Sequence, residues 1–380
     1  MAQRQFRTDD TDQWSDRYGD GSDGAFSTSG NATDAPIDAA CTGTAGATSL
    51  SATNASFAAD QIILIHQTRG SGAGVWELNR IASYTAGTIT TAYDLMNTYG
   101  SGAQVLVLEQ HSSVDINVGH TITAKAWDGS VGGILAYLCT GTITVAGVLN
   151  ADEKGFRNGV NQSSSGATQG EGTAGAGSTS TSANGSGGGG GGREDPDAGG
   201  GGGGGGNGAA GSDGSNAVNA TNKGSGGLSV GSADLTSMDL GGGGGGGGSR
   251  NGAGGDVNHD GKDGGAIVVL IGKNITVTGT ITLDGGTQST SSTNDLGAGA
   301  GGGGGSALFK GQIVDLGSSK VGAAAGNGGG DGGDGGAGGN GAVGRIHADY
   351  SESISGTTSP TLDSSEDSIL ADFAPRTMLF

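Results

Sequence analysis

What this chain has little of narrows it first. Aromatic residues make up 4% of its 380 residues, so an apolar core must be small for a length that admits two or three domains. Proline occurs only 4 times and glycine keeps no strict Gly-X-Y period, which excludes a collagen helix. The 2 cysteines, Cys41 and Cys139, allow at most one internal disulfide and form no CxxC or metal-ligand spacing. A Cys41–Cys139 bridge would close a long loop; two buried free thiols are the alternative, and the one favoured here. Basic residues are scarce. Lys+Arg total 17 against 37 Asp+Glu, a net charge of −20, which disfavours nucleic acid and anionic membranes as partners. No apolar run approaches the ~18 residues of a membrane span, so no membrane insertion is expected. The opening Met1-Ala2-Gln3-Arg4-Gln5-Phe6 has no apolar h-region, so no signal peptide is expected either.

What is abundant is glycine, 88 residues of it. It is concentrated in the blocks Gly187–Gly192, Gly199–Gly206, Gly241–Gly248 and Gly301–Gly305 and in the run Asn327–Gly341. A run of eight glycines buries no side chain. It is either a flexible linker or a segment ordered by backbone hydrogen bonds alone. The ordered form open to it is the polyproline-II-like glycine helix, with three residues per turn and no internal hydrogen bonds. Its N–H and C=O groups all point outward and need partners on neighbouring helices. Fixing a residue costs about 1–2 kcal/mol and a net hydrogen bond returns about 1 kcal/mol, so isolated runs stay disordered and order requires stacking. The runs recur, Asn/Asp/Ser clusters separate them, and matching apolar segments flank them, which favours the stacked form.

Along the chain, residues 1–35 read as a polar N-terminal arm. Residues 36–155 read as a β domain with candidate strands Gln61–Gln67, Gln104–Gln110, Thr121–Trp127, Gly133–Thr140 and Thr142–Ala151. Trp76, Trp127 and Tyr137 are the expected large core residues, and Tyr93–Tyr99 has the pattern of one helical turn. Residues 156–350 read as a glycine-rich domain with interleaved strand pairs, and 351–380 as a tail whose 351–368 portion is of linker type. An internal repeat crosses these boundaries. The run from Ile143 to Asp152 matches the run from Ile275 to Asp284, with Ile, Thr, Val, Gly and Asp coincident in register. Ser306–Leu316 is a degraded third copy and Gly344–Tyr350 a closing strand. The expected fold is mainly β with almost no α-helix: a β domain, and strand pairs flanking a polyglycine-II bundle of stacked glycine helices.

Motifs for chemistry are few. Gly227-Leu228-Ser229-Val230-Gly231 matches G-x-S-x-G but lacks the strand before and the helix after that a nucleophile elbow needs. Matches to G-x-G-x-x-G are unavoidable at this composition, and no βαβ unit surrounds them. No enzymatic activity is expected. Asp256, Asn258, Asp260 and Asp263 have the D-x-N-x-D-G spacing of a Ca²⁺ loop, so Ca²⁺ is the one candidate cofactor. Ile267 stands where an EF-hand carries Glu, which leaves a partial calcium loop or an Asp/Asn-rich turn.

The glycine tracts separated by short polar turns resemble the polyglycine-II domains of tail-fibre tip adhesins of tailed phages, over roughly residues 160–345. The segments His66-Gln67-Thr68-Arg69-Gly70, Gly74-Val75-Trp76-Glu77-Leu78-Asn79 and Gly155-Phe156-Arg157 resemble a wider set of glycine-rich phage and prokaryotic surface proteins. The resemblance implies a non-enzymatic virion protein, a tail fibre or tail-tip adhesin, extracellular once released by lysis. It implies an oligomeric assembly whose partners are other tail proteins or copies of the chain, and a host cell-surface receptor. In such adhesins, loops joining the glycine helices at the far end touch the receptor. The family pattern fixes no receptor-binding residue; the candidate turns here, Arg193–Asp197, Asn216–Lys223 and Gln288–Asp295, are polar and lie between scaffold segments, and they carry Arg193, Glu194 and Asp195; Asn216, Asn219 and Asn222; and Gln288, Asn294 and Asp295. The alternatives are a subunit of an extracellular filament, sheath or surface layer assembled through the apolar Ile369–Phe380, and an ice-binding protein, for which no regular Thr/Ala face is found.

Overall fold

Short runs of β-branched and apolar residues between Gly, Asn and Asp turns form the strands, which lie within residues 24–150 and 267–366. The computed structural model describes residues 18–161, 166–192, 198–219, 221–249, 259–291 and 296–370. The protein is mainly β and almost without helix; a 3-10 turn lies at Ser368–Leu370. The region expected as a polar arm already contains β1 (Gly24–Ser27) and β2 (Ala32–Thr33), which pair in parallel with strands far along the chain.

The expected β domain divides. Strands β3 (Asp38–Gly43), β4 (Ser49–Ala52), β5 (Ile62–Gln67), β6 (Trp76–Thr85), β7 (Thr88–Thr91) and β8 (Tyr99–Leu108) close an antiparallel barrel in the order β3-β4-β7-β6-β5-β8. Side-chain alternation explains why β5 is buried throughout and apolar over Ile62–Ile65. Ile63 and Ile65 fill the barrel with Leu50, Ile81, Ile89 and Val105, while Ile62 and Leu64 face outward onto the second sheet. The expected helical turn at 93–99 does not form; the chain runs irregularly into β8 and Leu95 fills the barrel core instead.

The second body is an 11-stranded sheet. It contains β9 (Gln110–Ile116), β10 (Thr121–Thr123), β11 (Ile134–Val145), β12 (Val148–Asn150), β13 (Ile267–Val277), β14 (Thr280–Thr282), β15 (Ser306–Gly322), β16 (Arg345–Ser359) and β17 (Asp363–Glu366). Every pairing in it is parallel. The pairs β9–β10, β11–β12 and β13–β14 are each a strand, a tight corner and a short strand, and successive pairs stack. The internal repeat is therefore the stacking unit. Ile143, Thr144 and Val145 lie beside Ile275, Thr276 and Val277, and Leu149 lies beside Ile281. Glycine is required at the corners: a Cβ on Gly147 would run into the Asn117 and His120 carbonyls, and one on Gly279 into the Gly147 carbonyl of the corner below. Leu149, Ile281, Val145, Val277 and Phe309 fill the space between the two limbs.

Four strand expectations and one linker expectation change. Gln104–Gln110 is split between the end of β8 and the start of β9. Gly133–Thr140 and Thr142–Ala151 form one strand, β11, irregular between Cys139 and Thr142, followed by β12. Thr121–Trp127 shortens to β10. The supposed linker at 351–368 is ordered: β16 continues to Ser359 and β17 closes the edge, its residues all exposed. Backbone pairing needs no apolar side chains there, and a polar, charged edge suits the last strand. The degraded copy at Ser306–Leu316 is the first part of β15, in register with β13. Trp76, Trp127 and Tyr137 are buried as expected, and Cys41 and Cys139 are free buried thiols in different cores.

The glycine tracts leave the parallel sheet and return to it. Segments 259–265, 297–305 and 336–344 run directly into β13, β15 and β16. Gly241–Gly248 shows how the tracts are held. Gly241, Gly244 and Gly247 donate to Gly265, Lys262 and His259; Gly242, Gly245 and Gly248 donate to Gly206, Gly203 and Gly200; Gly243 and Gly246 donate to Glu171 and Thr168. Successive N–H groups thus turn to three different neighbours and return to the first every third residue. Three further segments donate back: Phe156 and Gly159, Gly188 and Gly191, and Ala300 and Gly303. Gly199–Gly206 and 297–305 are likewise bonded to neighbours on several sides.

The barrel docks on this array through the segments singled out in the sequence. Glu171, 3% exposed, pairs with Arg69 and with Arg157, whose Nε lies 2.8 Å from its Oε2. The Arg69 guanidinium stands 5.7 Å from the Trp127 ring centre, and Phe156 meets that ring edge-on. His66, fully buried, bonds Thr68 through Nδ1 and the Met238 carbonyl through Nε2 at 2.7 Å.

Candidate functional site

The hydrogen bonds place one set of segment ends together. Gly248 donates to Gly200, Gly192 to Asn222, Gly297 to Gly248, Gly336 to Gly199 and Val218 to Asp334. The connections after Gly192, Gly248 and Ser291, the turn 216–223 and the turn 330–335 all start from this end, away from the strands. Arg193, Glu194, Asp195, Asn294 and Asp295 lie outside the described residues; their flanking residues root in this face.

The described candidates separate by what their side chains do. Asn222 is buried: its Oδ1 accepts the Ala217 N–H at 3.1 Å and its Nδ2 donates to the Ala198 carbonyl at 3.0 Å. Gln288 is buried too; its Nε2 donates to the Asp260 carbonyl and its Oε1 accepts the Thr290 N–H. Both are loop-closing residues and offer nothing outward. Asn216 accepts the N–H groups of Asn222 and Lys223, yet stays exposed. Asn219 is exposed at the turn tip with φ 59°, a conformation asparagine tolerates better than most residues. Val218 is 50% exposed beside it.

Charge on this side is mixed. Lys223 bonds Asp213 at 2.8 Å, and that contact with the Gly226 N–H holds the Asp213 carboxyl below its ordinary value. Asp331 and Asp334 are exposed on the adjoining turn. Within the run Asn327–Gly341 they are easily overlooked, although Asp331-Gly332 and Asp334-Gly335 are turn signals in their own right.

Asp260 and Asp263 do not act as a pair. Asp260 Oδ1 accepts the Asn161 N–H at 2.6 Å and Asp263 Oδ1 the Asn158 N–H at 2.7 Å, so each binds a different residue of the neighbouring segment. Asp256 and Asn258 lie outside the described residues. Among the described residues no group of three or more His, Cys, Asp or Glu is placed to hold a metal ion. Ser229 of the G-x-S-x-G match donates to the Asn207 carbonyl at 3.2 Å. No family model and no curated protein matches the chain.

Proposed function

We propose that the chain is a non-enzymatic virion protein, a tail-fibre or tail-tip adhesin whose glycine tracts form a polyglycine-II bundle that displays receptor-binding turns at one end. The observation that supports this most directly is the donor pattern of Gly241–Gly248, which returns to the same neighbour every third residue. That is the symmetry of a helix with three residues per turn and no internal bonds. Eight such residues extend about 25 Å, enough to hold turns well clear of the strands. Glycine is demanded by the packing, since a Cβ on Gly202, Gly243 or Gly245 would enter the carbonyl of a neighbouring segment. Turns on such a rigid base can vary without disturbing it.

The test exchanges the exposed residues of the turns 216–219 and 331–334 for Ser and Gly. Adsorption of assembled particles to host cells is measured beside the Tm of the same variants. The adhesin reading expects lost or altered adsorption at unchanged Tm. Unchanged adsorption would shift the assignment to a filament, sheath or surface-layer subunit.

A further inference from the structure

Apart from the glycine array, the barrel and the parallel sheet meet along a cleft of about 240 Å³. Its floor and walls are mostly apolar, with Ile37 and Val107 from the barrel side and Phe26 and Ile122 from the sheet side. Its polar lining includes Asp34, Glu109 and Tyr137, with Thr33 beside Asp34. Tyr137 is 7% exposed, held by β11, and its hydroxyl makes no hydrogen bond to the described residues although it lines the cleft. Phe26 stacks on the Tyr137 ring with centres 5.7 Å apart, and its other neighbour is the His111 ring at 5.3 Å.

Among the described residues that line the cleft none is a cation. Lys125, whose charge acts on Asp34 from outside the lining, has its Nζ bonded to both oxygens of Asp38 at 2.9 and 2.7 Å. Glu109 Oε2 lies 3.1 Å from His111 Nε2, and that proximity holds its carboxyl below the usual range. Asp34 is pushed up to about 6, by burial first and by the charge of Glu109 next. Two carboxylates and a phenol without a hydrogen bond to the described residues thus share a cleft beside aromatic rings, and among the described residues no cation lines it.

We propose that this cleft binds an alkylammonium group, of the kind carried by a lysine side chain or a small aliphatic amine. The ammonium donates to Asp34, Glu109 and the Tyr137 oxygen, using three donors for three acceptors. Its methylene stem lies on Ile37, Val107 and Ile122, and the aromatic rings add attraction for the charge. A saccharide fits less well, because its several hydroxyls would meet apolar walls.

The experiment titrates the full chain by calorimetry with Nα-acetyl-lysine methylamide, its Nε-acetylated form and 1,5-diaminopentane. The charged lysine derivative or the diamine binds and the neutral form does not. Tighter binding of the lysine derivative identifies a protein side chain as the source, and tighter binding of the diamine a free amine. Asp34→Asn weakens binding by about tenfold or more, the loss of one charge-assisted hydrogen bond. Glu109→Gln tests the same site without risk to folding, because that side chain is 70% exposed. Tyr137→Phe has a smaller effect at unchanged Tm. Binding also falls between pH 7.5 and 5 as Asp34 protonates. The other titratable groups facing Asp34 are Glu109, Asp38, Lys125 and Tyr137, with His111 behind Glu109. Equal binding of the Nε-acetylated form, binding of neither amine, or full affinity in both Asp34→Asn and Glu109→Gln overturns the proposal.

Discussion

Asp152 Oδ1 accepts the N–H of Asp284 at 2.6 Å, across 132 residues of sequence. The two are the same position of the internal repeat in adjacent coils, and Asp284 Oδ1 in turn accepts the N–H of Ala324 at 2.6 Å in the next. Asp152 Oδ2 also accepts from the Thr282 hydroxyl at 3.0 Å. Each aspartate therefore satisfies the backbone where the chain leaves the following coil for the glycine array. Asp152→Ala is expected to cost about 1–3 kcal/mol, the price of an orphaned, partly buried N–H, and Asp284→Ala less, because the Ala324 N–H it leaves is exposed to water. Urea unfolding of both variants measures this, and a change below about 0.5 kcal/mol in either would show that water replaces the carboxylate.

Glu171 is the hinge of charge between barrel and array. It is 3% exposed, whereas Arg69 and Arg157 are 25% and 48% exposed and can turn to solvent. Glu171→Ala thus leaves two guanidiniums that remain partly solvated, and about 2 kcal/mol of destabilisation is expected, less than for a fully buried pair. Glu171→Gln should recover part of it, because its single amide oxygen can still accept from one of the two arginines. Limited proteolysis of loop 70–74, whose Gly70 N–H bonds the Thr173 carbonyl, reports whether the barrel has loosened.

Much of this architecture was legible because it follows from local rules. The repeat at Ile143–Asp152 and Ile275–Asp284 was visible as a sequence match, and the stacking simply places matched residues side by side. The buried β5 was visible as a short apolar run between turns. The closed barrel was not legible, since closure depends on which strands pair, and β3 with its Ala39-Ala40-Cys41 has no strong pattern. The 351–366 strands were missed because the edge of a sheet asks little of its side chains. At the candidate site, turn composition located Asn216 and Asn219, but it could not tell them from Asn222. Whether an asparagine faces solvent or closes the loop is decided by the carbonyl of Ala198, which is far from it in sequence.

Acidity should stabilise this protein through part of the mildly acidic range. Asp239 is 2% exposed, its Oδ1 has no partner, and burial pushes its carboxyl up to about 7, with Arg345 pulling weakly the other way. The unfolded value is about 3.9. Between these values the folded state holds the proton that the unfolded state releases. The contribution is therefore complete below the unfolded value and lost as pH rises through about 7. Glu77, raised to about 7 by burial, acts in the same direction. For His347, burial pulls downward but the hydrogen bonds its ring donates to Asp349 and Asp363 hold it above its ordinary value, so its contribution also fades with rising pH. Tm is expected to fall from pH 5 to pH 8, and Asp239→Asn to flatten that fall. An equal slope in the variant would mean that the carboxyl is ionised in the folded state across the range.

Calcium binding can be tested through Asp260 alone. Asp260 and Asp263 already cap the N–H groups of Asn161 and Asn158, so Asp260→Ala should lower Tm with or without EGTA. If a cation completes the loop with Asp256 and Asn258, EGTA should lower the wild-type Tm and leave Asp260→Ala unmoved. The two outcomes separate a backbone cap from a metal ligand.

The array itself makes the sharpest demand on sequence. Gly245 donates to Gly203 and accepts from Ala300, and a Cβ built on it would enter the Gly189 carbonyl of a third segment. No side chain can yield there, because the obstacle is backbone. Gly245→Ala is therefore expected to force neighbouring segments apart and break several of these hydrogen bonds, and Gly245→Val to do so more severely. Gly330 is the contrast: a Cβ there would approach only the side chain of exposed Ser291. Gly330→Ala should leave Tm nearly unchanged. Amide exchange sharpens the comparison. In the wild type, Gly242 to Gly248 should be protected at every position, since each donates to a neighbour, whereas a flexible linker would exchange throughout. In Gly245→Ala, protection should fall also in Gly200–Gly206 and in 297–303, the segments bonded to it. If the loss stays confined to the mutated run, the tracts are independent strings and the shared scaffold is refuted.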